Sequence, residues 1–134
     1  MIKKIDHIGI AVKDLNASTE LFEKLLGRTV EKTESVESEG VNTAFFEVGQ
    51  SHLELLEPMG PETPIGKHIE KRGEGIQQMA LATDDIYAEM KRLKEAGFIL
   101  LNDEPKKGAN NKLVCFIHPK SANGILVEIC QDAQ

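Results

Sequence analysis

Tryptophan is absent from this sequence, tyrosine occurs once, cysteine twice, and basic residues are outnumbered 16 to 22 by acidic ones. Each shortage excludes something. A formal charge of −6 argues against a nucleic-acid backbone as partner. No run approaches the ~20 apolar residues that a membrane span requires. Met1 to Val12 lacks the basic, apolar pattern of a leader, because its lysines are followed by Asp6 and His7. Cys115 and Cys130 sit in apolar, strand-like runs without the spacing of a metal knuckle. They are expected to be reduced, buried thiols of a cytoplasmic protein.

What remains is ordinary for a globular chain: 134 residues, 40% hydrophobic and 28% charged. That length allows one domain, or two half-domains sharing a core. The chain carries one short module twice. Asp6-His7-Ile8-Gly9-Ile10-Ala11-Val12-Lys13-Asp14-Leu15 is echoed by Gln77-Gln78-Met79-Ala80-Leu81-Ala82-Thr83-Asp84-Asp85-Ile86. An offset of 71 places His7 on Gln78 and Asp14 on Asp85. Each module closes on a carboxylate within an apolar strand, Leu53-Glu54-Leu55-Leu56 and Val127-Glu128-Ile129-Cys130.

Local patterns give each half the same order of elements. Residues 5–12 alternate with period two, hence a strand. Asp14 caps a helix whose apolar stripe is Leu15, Leu21, Phe22, Leu25 and Leu26, and Gly27 stops it. Residues 28–49 read as two extended segments joined by an acidic turn at Glu37 to Gly40, and 52–57 as a strand. Thr63-Pro64 starts a short connecting helix that ends at Gly73. A strand at 76–83 follows, then a helix capped by Asp84 or Asp85 with Ile86, Met90, Leu93 and Ala96 inward. Segments 98–102, 112–117 and 125–131 are strand-like, with a Lys/Gly/Asn-rich loop after the first. The expected organisation is one α+β domain over 1–134: module one at 1–60, a connecting helix at 61–74 and module two at 75–134. Each module is βαβββ.

The faces that carry the polar residues point to a site. His7 is flanked by Gly9 and Ala11, and Gln78 by Ala80 and Ala82, so small neighbours leave room beside both. Glu54 and Glu128 lie among Leu, Ile and Val, where an unpaired carboxylate costs several kcal/mol or neutralises itself. If the halves pack about a pseudo-twofold axis, His7, Glu54, Gln78 and Glu128 converge on one point, a set suited to a divalent metal. Taken singly, His7 is equally a satisfied core histidine, Gln78 a structural amide and Glu54 an edge residue. His52 supports that site or is simply exposed. His68 is expected on the surface, and His118 is either loop structure or a substrate contact.

These residues resemble the vicinal oxygen chelate superfamily, and within it the methylmalonyl-CoA epimerase family, over essentially the whole chain. The residues that carry the likeness are Asp6 to Val12, Leu53-Glu54-Leu55-Leu56-Glu57-Pro58, Thr63-Pro64-Ile65-Gly66-Lys67 and Glu70 to Ile76. The more specific ones are Asn102-Asp103-Glu104-Pro105-Lys106-Lys107-Gly108, His118-Pro119-Lys120-Ser121 and Gly124-Ile125-Leu126-Val127-Glu128.

The resemblance implies a glyoxalase-like fold, in which tandem βαβββ modules form a curved mixed sheet around a central metal, and a homodimer. It implies one divalent ion (Co, Mn, Zn or Ni) held by His7, Glu54, Gln78 and Glu128. It also implies metal-dependent epimerisation of methylmalonyl-CoA at C2 through an enolate, with Glu128 as a catalytic acid or base. Two departures stand out. Gln78 takes the place of the family's second histidine, which implies weaker metal retention. Thr43 stands where some epimerases carry a glutamate, and Glu47, of the same strand parity, lies about 13 Å further along, so the second base is unassigned. Lys106, Lys107, Lys112 and Lys120 lie near the C-terminal strands, as solvated surface or as contacts for the acyl-CoA phosphates. The alternatives are a lactoylglutathione lyase of the glyoxalase I type, towards which the Gln ligand leans, and a metal-free binder of small molecules.

Overall fold

A computed structural model describes residues 1–133. Its chain order is β1 (Ile2–Ala11), α1 (Leu15–Leu26), β2 (Lys32–Val36), β3 (Val41–Val48), β4 (Ser51–Pro58), α2 (Pro64–Arg72), β5 (Gly75–Thr83), α3 (Ile86–Glu95), β6 (Lys106–Gly108), β7 (Lys112–Ile117) and β8 (Leu126–Asp132). Two compact units form. One is Ile8–Gln77, the other Met1–His7 with the chain from Gln78 onward.

In the unit Ile8–Gln77 the strands run in the order β2-β3-β4-β1. The β2–β3 and β3–β4 pairs are antiparallel, with Phe45 opposite Glu54 and Glu47 opposite His52. Asp14 caps α1 by accepting from the Ala17 N–H at 3.1 Å, and Gly27 ends the helix in the left-handed region at φ 67°. Only part of the expected stripe is inward. Leu15, Phe22 and Leu26 pack on Val12, Ala44, Phe46 and Leu55. Leu21 and Leu25 are 61% and 70% exposed, because each lies one residue, or about 100° of helix rotation, from Phe22 and Leu26. The Thr63 hydroxyl accepts from the Gly66 N–H at 3.1 Å, and Pro64 occupies the first turn of α2. A Cβ at residue 66 would strike the Gly60 carbonyl, so the tight entry to α2 requires glycine there.

In the other unit the order is β1-β5-β8-β7-β6. β5 and β8 are parallel, β8 and β7 antiparallel, which makes the sheet mixed. Helix α3 covers one face. Its Ile86, Met90 and Leu93 pack on Cys115, Ile117, Val127 and Ile129, and full burial of such side chains contributes about 1.5–3 kcal/mol each. Ala96, expected inward, is exposed, since the helix ends at Glu95.

The expected strand at 98–102 is corrected. It makes only an isolated bridge, Leu100 to Ile117, and Ile99 and Leu101 are each 52% exposed. The strand β6 forms instead in the segment read as a loop. Asn110 and Asn111 adopt left-handed conformations at φ 59° and 54°, which asparagine tolerates. They reverse the chain so tightly that Lys106–Gly108 pairs with β7.

Candidate active site

In the unit that contains α3, the sheet face away from that helix carries the polar residues. By register, Gln78, Ala80 and Ala82 on β5 share a face with Leu126, Glu128 and Cys130 on β8, and Glu128 in turn faces Phe116 on β7. Ala80, Val114 and Cys130 form a buried floor with Ala82 and Phe116 beside them. Ala80 is fully buried in that floor, so the small residue beside Gln78 packs against Val114 and Cys130 beneath the polar side chains.

Three of the four sequence-read ligands meet on this floor. Gln78 Nε2 lies 3.4 Å from His7 Nε2 and donates to Glu128 Oε1 at 3.3 Å. His7 Nε2 lies 3.8 Å from Glu128 Oε2. All three residues are at most 8% exposed. The fourth, Glu54, belongs to the other unit. It is buried on β4 opposite Phe45, with 4% of its surface exposed.

Asp6 completes the environment of His7. Its Oδ2 sits 2.9 Å from His7 Nδ1, and Lys112 Nζ donates to its Oδ1 at 3.4 Å. Burial alone would raise the Asp6 pKa, but the His7 hydrogen bond and the Lys112 charge override it and hold the carboxyl well below the ordinary range. An ionised carboxylate only accepts, so Nδ1 carries the ring proton. Nε2 of a neutral His7 is then a lone-pair donor turned toward Gln78 and Glu128. Sequence reasoning did not single out Asp6, because consecutive residues of a strand are expected on opposite faces. The signal available was an Asp-His pair opening an otherwise apolar strand.

The donor set fits a divalent ion. Ligand atoms about 2.0–2.1 Å from one metal lie roughly 2.8–3.4 Å apart at octahedral or tetrahedral angles. The His7–Gln78 and Gln78–Glu128 spacings of 3.4 and 3.3 Å fall within that range, and the His7–Glu128 spacing of 3.8 Å lies somewhat beyond it. A 180° rotation of the Gln78 amide puts its oxygen where its nitrogen stands, giving one nitrogen, one neutral oxygen and one carboxylate.

Other sequence-read positions separate clearly. Thr43 is fully buried and its hydroxyl donates to the Glu34 carbonyl at 2.9 Å, so it is a structural hydroxyl. The His118 ring accepts from the Lys120 N–H at 3.0 Å, which makes it part of its turn. His68 is on α2, where burial and then the Arg72 charge lower its pKa. Lys112 is engaged with Asp6 and Asp132, and Lys106 lies over the Phe116 ring at 5.4 Å. A second group of metal-type atoms, in Glu31, Glu47 and His52, lies within 4.8 Å of one another in the Ile8–Gln77 unit. His52 pairs there with Glu31 at 3.3 Å. The sequence had not brought these three together, since their contact depends on the hairpin register. Among the described residues no helix is long and apolar enough to cross a membrane.

Residues 6–116 match the Glyoxalase/Bleomycin resistance protein/Dioxygenase superfamily, and the chain belongs to it, with a glyoxalase-like fold of eight strands and three α-helices among the described residues. Several of its relatives are methylmalonyl-CoA epimerases, which are isomerases. The ethylmalonyl-CoA/methylmalonyl-CoA epimerase of Cereibacter sphaeroides is 40% identical over 133 residues, 98% of this chain and 99% of that protein. Methylmalonyl-CoA epimerase from Mycobacterium tuberculosis superposes with a TM-score of 0.95 at 33% identity, over 99% of this chain and 90% of its own. A methylmalonyl-CoA epimerase in complex with methylmalonyl-CoA and an ammonium ion gives 0.95 at 36% identity, over 99% and 96%.

Proposed function

We propose that this protein epimerises methylmalonyl-CoA, or a close 2-alkylmalonyl-CoA thioester, at C2. The observation that carries the reading is the trio His7, Gln78 and Glu128 on an alanine floor, in a chain that aligns end to end with epimerases of such thioesters. The proposal treats residues 1–134 as one functional domain, working as a cytoplasmic homodimer. His7, Glu54, Gln78 and Glu128 are assigned as ligands of one divalent ion. When bound, such an ion supplies Lewis-acid stabilisation of the enolate charge that develops on the substrate.

The remaining chemistry belongs to side chains. Glu128 takes or returns the C2 proton through a carboxylate oxygen. The Gln78 amide restrains its other oxygen, and His7 offers Nε2 beside it. The low exposure of the trio excludes bulk water, which would otherwise compete for that proton. With Thr43 fixed to Glu34, the acid on the opposite face of the substrate comes from another residue.

The test is to supply one C2 epimer of methylmalonyl-CoA and follow formation of the other by chiral analysis. Wild type is expected to drive the mixture to equilibrium. Glu128→Gln is expected to lower the rate about 10²–10⁴-fold, the usual contribution of a positioned acid or base. No interconversion by wild type would sink the proposal.

A metal-free binding role is the second reading. It is favoured by one observation, that the Gln78 amide already satisfies both His7 and Glu128. Elemental analysis of protein purified without chelator separates the two readings. About one ion per chain supports the enzyme, and none, with no uptake of added Co²⁺, supports the binder.

A further inference from the structure

Neighbouring side chains on a strand normally leave opposite faces of the sheet, yet Asp6 and His7 touch at 2.9 Å. Asp6 is 4% exposed and is itself held from two sides. Lys112 Nζ reaches its Oδ1 at 3.4 Å while His7 Nδ1 meets its Oδ2. Lys112 starts β7, while Asp6 lies on β1, with β5 and β8 between. The Lys112 side chain is only 14% exposed, and the same Nζ also meets Asp132 Oδ1 at 2.5 Å. An ammonium held between Asp132 and Asp6, joining residues of strands that are not neighbours in the sheet, fixes where the buried Asp6 carboxylate points.

We propose that Asp6, oriented by Lys112, is a positioning residue that sets the tautomer and ring angle of His7 so that Nε2 faces Gln78 and Glu128. This rests on the reading of His7 as a metal ligand. Ligating histidines are commonly oriented by a carboxylate on their other ring nitrogen, and loss of that partner weakens metal binding about 10–100-fold. In Asp6→Asn, Lys112 draws the amide oxygen and turns the NH₂ toward Nδ1. An NH₂ can only donate, so the ring proton moves to Nε2 and the ligand lone pair is lost from the site. A merely structural ion pair between β1 and β7 predicts a loss of stability with neither consequence.

The test combines two readouts on the full-length chain. The first is ¹⁵N NMR of the His7 ring in metal-free protein. The Nδ1–H tautomer is expected in wild type, with a shift toward Nε2–H in Asp6→Asn. The second is Co²⁺ affinity of metal-stripped protein by titration of its visible absorption, with circular dichroism checking each variant. Affinity is expected to fall about 10–100-fold in Asp6→Asn, to fall less in Lys112→Met, and to recover in Lys112→Arg. A folded Asp6→Asn with wild-type affinity and an unchanged tautomer would overturn the inference. If Asp6→Asn does not fold, a wild-type His7 found as Nε2–H overturns it equally. His7→Ala separates this inference from the reading beneath it. Unchanged Co²⁺ binding there defeats the metal site, and the tautomer alone then decides the role of Asp6.

Discussion

Ala80 offers a direct way to ask whether the face carrying Gln78 and Glu128 is a site or a core. It is fully buried, lies two residues from Gln78 on the same face of β5, and stands opposite Glu128 on β8. In Ala80→Leu three extra heavy atoms must go above the floor that Val114 and Cys130 complete. Were the space a packed core, overpacking would cost about 1–3 kcal/mol. An unfolding entropy near 2.1 cal/mol/K per residue gives about 0.28 kcal/mol/K for this chain, so that cost lowers Tm by roughly 4–11 °C. An open site absorbs the leucine at the low end of that range, but Gln78 and Glu128 are pushed apart. A displacement near 1 Å is enough to lower turnover about 10²-fold. The expected signature is a Tm within about 4 °C of wild type together with a loss of Co²⁺ affinity and activity. Differential scanning calorimetry and Co²⁺ titration read the two sides. A variant that loses 10 °C yet binds Co²⁺ normally would refute the assignment of this face as the site.

Four further outcomes are expected. Phe46→Ala, which empties a fully buried position 6.4 Å from the Phe22 ring, should cost about 3–5 kcal/mol in urea unfolding; a change below 1 kcal/mol would contradict the packing of α1. Glu89 has its pKa lowered by the N-terminal ammonium first and by Arg92 against the cost of burial. Its contribution to stability is therefore present above its unfolded pKa of about 4.3 and lost as pH falls through the lower folded value. Urea midpoints between pH 6 and pH 3 should accordingly fall less for Glu89→Gln than for wild type. The Cys115 thiol is pushed up to about 11 by burial and the Glu128 charge, and burial together with the Asp6 charge pushes Cys130 higher still. Both should resist a disulfide reagent at pH 8 until the chain is unfolded, and immediate reaction of two thiols would count against their burial. Light scattering should give twice the 14.8 kDa chain mass if the proposed homodimer forms.

Periodicity made most of the fold legible. Alternation located β1 and β5, and Asp14, Thr63 and Gly27 marked helix ends through hydrogen bonds that need only local chain, while of Asp84 and Asp85 the structure makes Asp85 the cap. Helical spacing alone could not tell which apolar residues of α1 turn inward, because that depends on what Val12, Phe46 and Leu55 offer it. The strand β6 was hidden for a similar reason. Lys106, Lys107 and Gly108 have little intrinsic preference for a strand and form one because a left-handed asparagine turn folds them onto β7. The trio His7, Gln78 and Glu128 was readable because the repeat set two of its members at equivalent places. Asp6 and Lys112 were not, being 106 residues apart and joined only by the sheet. The Glu31, Glu47 and His52 group depends in the same way on strand register.

The most direct test of the proposed function is proton exchange at C2 of methylmalonyl-CoA in D₂O, catalysed by metal-stripped protein before and after adding Co²⁺. The account predicts little deuterium uptake without metal, and uptake with inversion once about one equivalent of Co²⁺ per chain is present. Absence of exchange with Co²⁺ and with every other divalent ion tried would contradict it.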